Sequence, residues 1–432
     1  MHSNIITSQT QNSLKIAFDV GKLKLDFYSE FPTLFGTEQI KGDLNNKPNE
    51  ILKLLREIKE KGLSQGFSSI QVICEPTGIY HRQLLKAADL LGLESALVSG
   101  EATHRGKIFA KNTRNKSDLF DPHVIFKVAS IAPLIQRRNN SEQYEALKEL
   151  GRLEETARTR LKRLRTELKE IVFRVFPAFP MGEDFINKHN GEAIFKAFKC
   201  DPRKMLQLGE KKFEERYRKF AIRVRKDTIH RLWNAALESK ELLLSQAVAD
   251  VYNLKIAAIY QDIKTEEKRA ETAMENMHKI IKHLRENGEF IPKAHQDLFT
   301  EEWIARIIAE SGCLSDFGTY QQFEKYAGMN LCENQSGIKA GRIKMDKKGS
   351  SHLRRLFADL AFKLCTKRNC YGKYYHNKKE KNMLGKKSMM AVARKLLKAF
   401  FGMAKNKTEF NLDRLQLSLS EFNAKNNLPM AS

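Results

Sequence analysis

LKIAFDVGKLKLDFYS, residues 14–29, decides how the N-terminal part of the chain folds. Leu14, Ile16, Phe18 and Val20 alternate with Lys15, Ala17 and Asp19, which is the period of a strand. Gly21-Lys22 can turn the chain, and LKLDFYS then alternates again. The stretch therefore predicts a β-hairpin with Asp19 on the face opposite the apolar residues. A third short strand is expected near 36–41. Asn49 is placed to cap an amphipathic helix, EILKLLREIKEKG. SSIQVICE (68–75) reads as a strand, YHRQLLKAADLLG (80–92) as a helix and ESALVS (94–99) as a strand. After a basic loop, SDLFDPHVIFKVAS (117–130) reads as a helix, with Pro122 tolerable only in its first turn.

The pattern changes from about residue 141. EALKELGRLEETARTRLKRLRTELKEIVFRVF sets Leu147, Leu150, Leu153, Leu161, Leu164, Leu168 and Ile171 at helical spacing, and two prolines in VFPAFPMG break it. A less regular piece (181–222) follows. RKDTIHRLWNAALESKELLLSQAVADVYNLKIAAIYQDIKTEEKRAETAMENMHKIIKHLREN then runs without proline to Asn287. Long antiparallel helices are expected, as a coiled-coil arm for dimerisation or as a bundle within one subunit. Beyond Pro292, WIARIIAESG and YQQFEKYAGMN read as short helices ending at glycines. Two longer helices, HLRRLFADLAFKLCTK and KSMMAVARKLLKAFFGMAK, have basic outer faces. The expected organisation is 10–135 (α/β), 136–290 (long helices), 291–406 (mainly α) and 407–432 (a polar tail).

The net charge of +24 is unevenly spread. Between Ile338 and Lys405 there are 20 Lys/Arg against 3 Asp/Glu. A field this concentrated suits a polyanion and predicts salt-dependent nucleic-acid binding, although composition does not separate DNA from RNA. The first thirty residues lack the build of a secretory signal, and no apolar run reaches the ~18 residues a membrane span needs. A cytoplasmic location with no membrane partner is the expectation. Six scattered cysteines form no C-x-x-C pair, so they are expected to be reduced thiols.

Two constellations could carry chemistry. Asp19 lies on the first strand, Glu75 ends a later one before the turn-forming Pro-Thr-Gly, and Asp118 and Asp121 stand three apart at a helix start. Singly, each is an ordinary strand-end, turn or capping acid. Gathered, they would repel unless a divalent cation sat among them. The second constellation is QSGIKAGRIKMDKKGSSHLRRL (335–356), in which Ser336-Gly337 is either a common turn or a nucleophile among phosphate-gripping cations. Arg342, Lys344, Lys348, Arg354 and Arg355 are the candidates for that grip. No histidine or acid lies within a few residues of Ser336 in triad fashion, and His352 is a base the sequence offers without further support.

FDVGKLKLDF, EPTGIYH and KSDLFDP together resemble the N-terminal domain of the DEDD transposases of bacterial insertion sequences, the IS-one-ten kind. That domain is ribonuclease-H-like and is similar to Holliday-junction resolvases of the RuvC type. YAGMNLCENQSGIKAGRIKMDKKGSSHLRRLF (326–357) resembles the same family's C-terminal transposase domain. There Leu331 stands where a proline is usual, and LFTEEWIARIIAE lacks the glycines of a helix-hairpin-helix turn. The resemblance implies a RuvC-like DEDD domain in which Asp19, Glu75, Asp118 and Asp121 converge on Mg²⁺ (or Mn²⁺), and a serine, Ser336, that attacks DNA. It further implies a composite site between the two, element-end and target DNA as substrates, a structured non-coding guide RNA, and a dimer or tetramer. A resolvase-like endonuclease that uses water, and a non-catalytic nucleic-acid scaffold, remain as alternatives.

Overall fold

The computed structural model describes residues 13–33, 36–76, 78–111, 121–132, 134–136, 141–180, 182–186, 188–333 and 343–411. The chain divides into two compact units, 1–139 and 140–432. Asp118, Ser336 and Arg342 fall outside the described residues.

The first unit is built on a mixed sheet. The expected hairpin forms as β1 (Ser13–Val20) and β2 (Lys24–Thr33), with Phe18 opposite Phe27 and Asp19 opposite Asp26. β3 (Gly36–Asn45) is longer than the sequence suggests and pairs with β2 along its whole length. Helix α1 (Pro48–Ser64) carries the chain across to β4 (Ser69–Cys74), which runs parallel to β1. Next come α2 (His81–Leu90), β5 (Glu94–Leu97), α3 (Gly100–Lys111), α4 (Asp121–Ile131) and the short β6 (Ile135–Gln136). The strand order is β3-β2-β1-β4-β5-β6.

The period of two divides this sheet into two apolar faces. Leu14, Ile16, Phe18, Val20, Val72 and Cys74 pack with the buried sides of α1 and α2. On the other face Ala17 and Ile73 lie under Val124, Ile125, Val128 and Ala129 of α4. The Lys15 Nζ approaches the Ala129 carbonyl at 3.4 Å, so the C-terminal half of α4 lies over the start of β1. Eight residues of helix rise (~12 Å) nearly match four of strand (~13 Å), so the start of α4 lies level with Asp19. Tyr28, paired with Ala17, is flanked by the rings of His123 and Phe126 at 4.7 and 5.3 Å, which fixes the same register.

Two expectations need correction here. The stretch expected as a basic loop is helical over Gly100–Lys111. It packs on α4 at Gly106, where a Cβ would stand 2.3 Å from Val128 Cγ2. The first helix begins at Pro48 with Lys47 at its N-cap, so Asn49 does not cap it. α4 is described over Asp121–Ile131, and residues 112–120 lie outside the described residues.

Among the described residues the second unit is helical apart from one pair of short antiparallel strands. α5 (Glu142–Val175) and, much later, α11 (Gln246–Glu286) run antiparallel within the one chain. Tyr144 bonds to Glu289 just past one end, and Arg174 meets Tyr252 at 3.2 Å near the other. Between these helices the chain forms α6 (Glu183–Ile186), α7 (His189–Phe198), α8 (Pro202–Leu206), α9 (Glu210–Phe220) and α10 (Lys226–Glu238). The long proline-free run is therefore interrupted. A 3₁₀ turn at Ser239–Leu242 separates α10 from α11, and the Ser239 hydroxyl there accepts from the Ala178 amide at 3.0 Å.

The remainder is α12 (Glu301–Ser311), α13 (Tyr320–Tyr326), β7 (Leu331–Glu333), β8 (Ile343–Met345), α14 (Ser351–Cys365), α15 (Cys370–Glu380) and α16 (Gly385–Asn406). α12 is buried from Trp303 to Ala309 except at Arg306, so it is the centre of this core. Two apolar clusters result. One surrounds α12, α14 and α16 and takes in Leu147, Met277, Ile281 and Leu284 from the long helices. The other takes in Leu168, Val172, Ile256 and Tyr260 from their far ends, together with α7 to α10. All six cysteines are free thiols, and Cys74, Cys200 and Cys365 are buried. Among the described residues no helix is long and apolar enough to cross a membrane.

Candidate active site

Asp19 is the last residue but one of β1, half-buried, on the face that α4 covers. Glu75 follows Cys74, which is aligned with Phe18, so it emerges beside Asp19 at the ends of two parallel strands. Asp121 opens α4 at the same level and is also half-buried. Three of the four predicted acids thus reach one end of one face. Among the described residues no three acidic, histidine or cysteine side chains are grouped closely enough to hold a metal ion, and the fourth acid, Asp118, lies outside those residues. The donors themselves are carboxylates, hard oxygen ligands of the kind Mg²⁺ and Mn²⁺ take. At Gly100 the absence of a side chain leaves the Glu75 carboxylate room at the end of β4. In donor chemistry these residues fit such an ion.

One acid of this face goes unremarked in the sequence reading. Asp26 lies directly across from Asp19, is 7 % exposed, and has Asp43 opposite it on β3. Lys24 bridges the last two, 2.9 Å from Asp26 and 3.6 Å from Asp43. The hydrogen bond to Asp26 holds the Lys24 ammonium above its usual range. That pairing offsets the repulsion Asp26 would exert on Asp19. The signal was present in LKLDF, because a hairpin turning at Gly21 must bring these two aspartates opposite each other. Nearby, burial and then Lys127 keep the His123 imidazole below its normal range, so it adds no full positive charge to the face.

The predicted phosphate-gripping residues occupy varied places in the second unit. Ser336 and Arg342 lie between β7 and β8 in sequence, outside the described residues. Lys344, on β8, and Lys348 are exposed. The Arg354 Nη1 donates to the carbonyls of Gly328 and Lys347 at 3.3 and 3.1 Å. It secures a turn in which Lys347 and Gly349 have φ of 61° and 143°. Arg355 forms an ion pair with Glu155 of α5.

Arg355 also lines a cleft of about 800 Å³ between α5, α12 and α14. Two buried carboxylates anchor that cleft. Glu154 accepts from Arg306 Nη2 at 2.8 Å and Nε at 3.2 Å. Glu310 accepts from Arg152 at 3.0 Å and from the Ser350 hydroxyl at 2.5 Å. Lys148, Arg158 and Lys162 add further positive charge to its walls.

His352, the base offered by the sequence, is partnered in this cleft. Its Nδ1 lies 2.6 Å from Glu155 Oε2, a contact between residues 197 positions apart. Burial, then the cation of Arg152, hold the imidazole below its usual range, against the pull of Glu310. In the neutral tautomer Nδ1–H donates to Glu155, leaving Nε2 an acceptor. A lowered histidine pKa means the unfolded chain binds more protons below about pH 6.5, so stability falls as pH drops through that value. In a His352→Gln protein that part of the dependence of melting temperature on pH should flatten. An unchanged slope would show that His352 does not contribute to it.

Comparison with known families matches both units. Residues 16–177 match the model of the IS110-type DEDD transposases, described as Transposase. Residues 301–376 match the model described as the Transposase IS116/IS110/IS902 family. None of the curated proteins matches the chain. The first match covers the sheet that carries Asp19, Glu75 and Asp121, and the second covers the stretch around Ser336 with α12 and α14. With both models met in this order along one chain, the protein belongs to the IS110 family of DEDD transposases, enzymes that cut and recombine DNA.

Proposed function

We propose that the protein moves an insertion sequence by cutting and exchanging DNA strands with two sets of groups, the DEDD acids and Ser336. The observation that carries the reading is the arrival of Asp19, Glu75 and Asp121 at one end of one sheet face. Asp19, Glu75, Asp118 and Asp121 would hold Mg²⁺ or Mn²⁺. A divalent ion bound there supplies Lewis-acid stabilisation of the charge that gathers on a phosphate under attack.

Ser336 Oγ is the nucleophile in this reading. An Oγ–P bond forms to a backbone phosphorus as the bond from phosphorus to a deoxyribose oxygen breaks. The serine proton leaves to a base, and the departing sugar oxygen takes one up. The reverse step, with a hydroxyl from another strand attacking the phosphoserine, completes strand exchange without loss of phosphodiester energy. A basic stretch with 20 Lys/Arg between Ile338 and Lys405 supports contact with DNA backbone and with a guide RNA. Assembly as a dimer or tetramer, with α5 and α11 as a coiled-coil arm, completes the reading.

The experiment is a search for a covalent adduct. Wild type and Ser336→Ala are incubated with Mn²⁺, DNA carrying the element ends and RNA from its flanks, then denatured. Wild type is expected to retain labelled DNA, and Ser336→Ala to lose both the adduct and strand exchange, by at least about a hundredfold. A Ser336→Ala protein that cuts DNA at the wild-type rate would instead support attack by water, the resolvase-like alternative.

A further inference from the structure

We infer that Gly100 is a positioning residue for the Glu75 carboxylate: the first residue of α3 lacks a side chain so that Glu75 can extend past the end of β4, beside the end of β1 that carries Asp19. The inference rests on the acidic site proposed above and deepens it. A Cβ built on Gly100 would stand 2.6 Å from Glu75 Oε1 and 3.4 Å from its carboxyl carbon. The first distance is far inside van der Waals contact, so a methyl group there and the present carboxylate position exclude each other.

Nothing else at this position calls for glycine. Gly100 is absent from the residues with positive φ, so an L residue can adopt its backbone. At the first position of a 12-residue helix, alanine is by propensity the better residue, by up to about 1 kcal/mol. The group in the way is the free end of a flexible side chain and not backbone. Rotation of Glu75 relieves the clash without moving α3 or β4. Gly106, in the same helix, is the contrasting case. Its added Cβ would meet Val128 Cγ2 at 2.3 Å and Val124 Cγ1 at 3.3 Å, inside the apolar layer under α4. A side chain at Gly106 strains the fold, whereas one at Gly100 moves a carboxylate.

The test uses the whole protein, Mn²⁺ alone as the binding probe, and five variants. Gly100→Ala is expected to melt at or above the wild-type temperature and to bind Mn²⁺ roughly tenfold more weakly, read by the free-Mn²⁺ resonance signal. Its DNA cleavage should fall by roughly 10- to 100-fold, the scale of a misplacement near 1 Å. Glu75→Asp withdraws the carboxylate by one methylene. Adding Gly100→Ala to Glu75→Asp should therefore cost little more than Glu75→Asp alone, a non-additivity that a merely structural role does not produce. Gly100→Ala that binds Mn²⁺ like wild type, while Glu75→Gln does not, overturns the inference and leaves the acidic site standing. Glu75→Gln that binds like wild type overturns the acidic site itself. A melting temperature for Gly100→Ala that falls as far as that of Gly106→Ala also overturns it, because the glycine would then serve the fold.

Discussion

An Asp19→Asn protein is expected to lose DNA strand cleavage by roughly a thousandfold or more, the several kcal/mol that a metal-bound carboxylate set supplies to a phosphoryl transfer. The substitution keeps the size and shape of the side chain and removes its charge. The fold should not notice the loss. Asp19 sits opposite Asp26 across the hairpin, and like charges facing each other on a sheet destabilise it by a few tenths of a kcal/mol. Melting temperature should therefore hold or rise slightly while cleavage of labelled element-end DNA disappears. A variant that keeps wild-type cleavage in Mg²⁺ would remove Asp19 from the chemistry. One that loses cleavage because it no longer folds would show that Asp19 serves the sheet.

Arg306→Ala is expected to cost stability on a scale no surface change reaches. Arg306 is 16 % exposed along its side chain and Glu154 only 4 %. Both guanidinium bonds go to one oxygen of Glu154, and the guanidinium also lies 5.6 Å from the Trp303 ring centroid. Arg158 also lies near that carboxylate, at 3.7 Å. Truncating Arg306 leaves a buried carboxylate without its principal partner, a loss of about 3–5 kcal/mol. In a unit of this size that corresponds to a fall in melting temperature of roughly 10 °C. The double variant Arg306→Met with Glu154→Gln, which removes both charges, should recover much of the loss. If Arg306→Ala melts within a degree or two of wild type, the pair is not a structural tie between α5 and α12.

These two residues differ in how far the sequence announces them. Asp19 was legible because a period of two assigns each hairpin residue to a face without knowledge of anything distant. The same reasoning reached Glu75, since a β-branched strand ending at Pro-Thr-Gly has few alternatives. Glu154 and Arg306 were not legible, because the bond joins helices 152 positions apart in the chain. The same limit applies to Arg354 and Arg355. In sequence they form a basic pair free to grip phosphate. In the fold one holds the carbonyls of Gly328 and Lys347, and the other meets Glu155. α3 was hidden for a related reason. GEATHRGKIFAK has glycines at two positions and no strong apolar stripe, and its close approach to α4 at Gly106 depends on two valines beyond its end. α15 was missed because CYGKYYHNKKE is nearly polar and is tied to the core chiefly through the buried Tyr371.

The antiparallel course of α5 and α11 has a consequence for how this chain tolerates change in length. Everything between Val175 and Gln246 is an excursion that leaves and rejoins the same pair of helices at the same end. Such an excursion can be enlarged, shortened or replaced by a tight connector without altering the order in which the rest of the second unit is threaded. It is not free of cost, because Val172, Val175, Ile256 and Tyr260 would lose their cover. A truncated protein with those positions made polar is thus the route the fold offers to a smaller transposase.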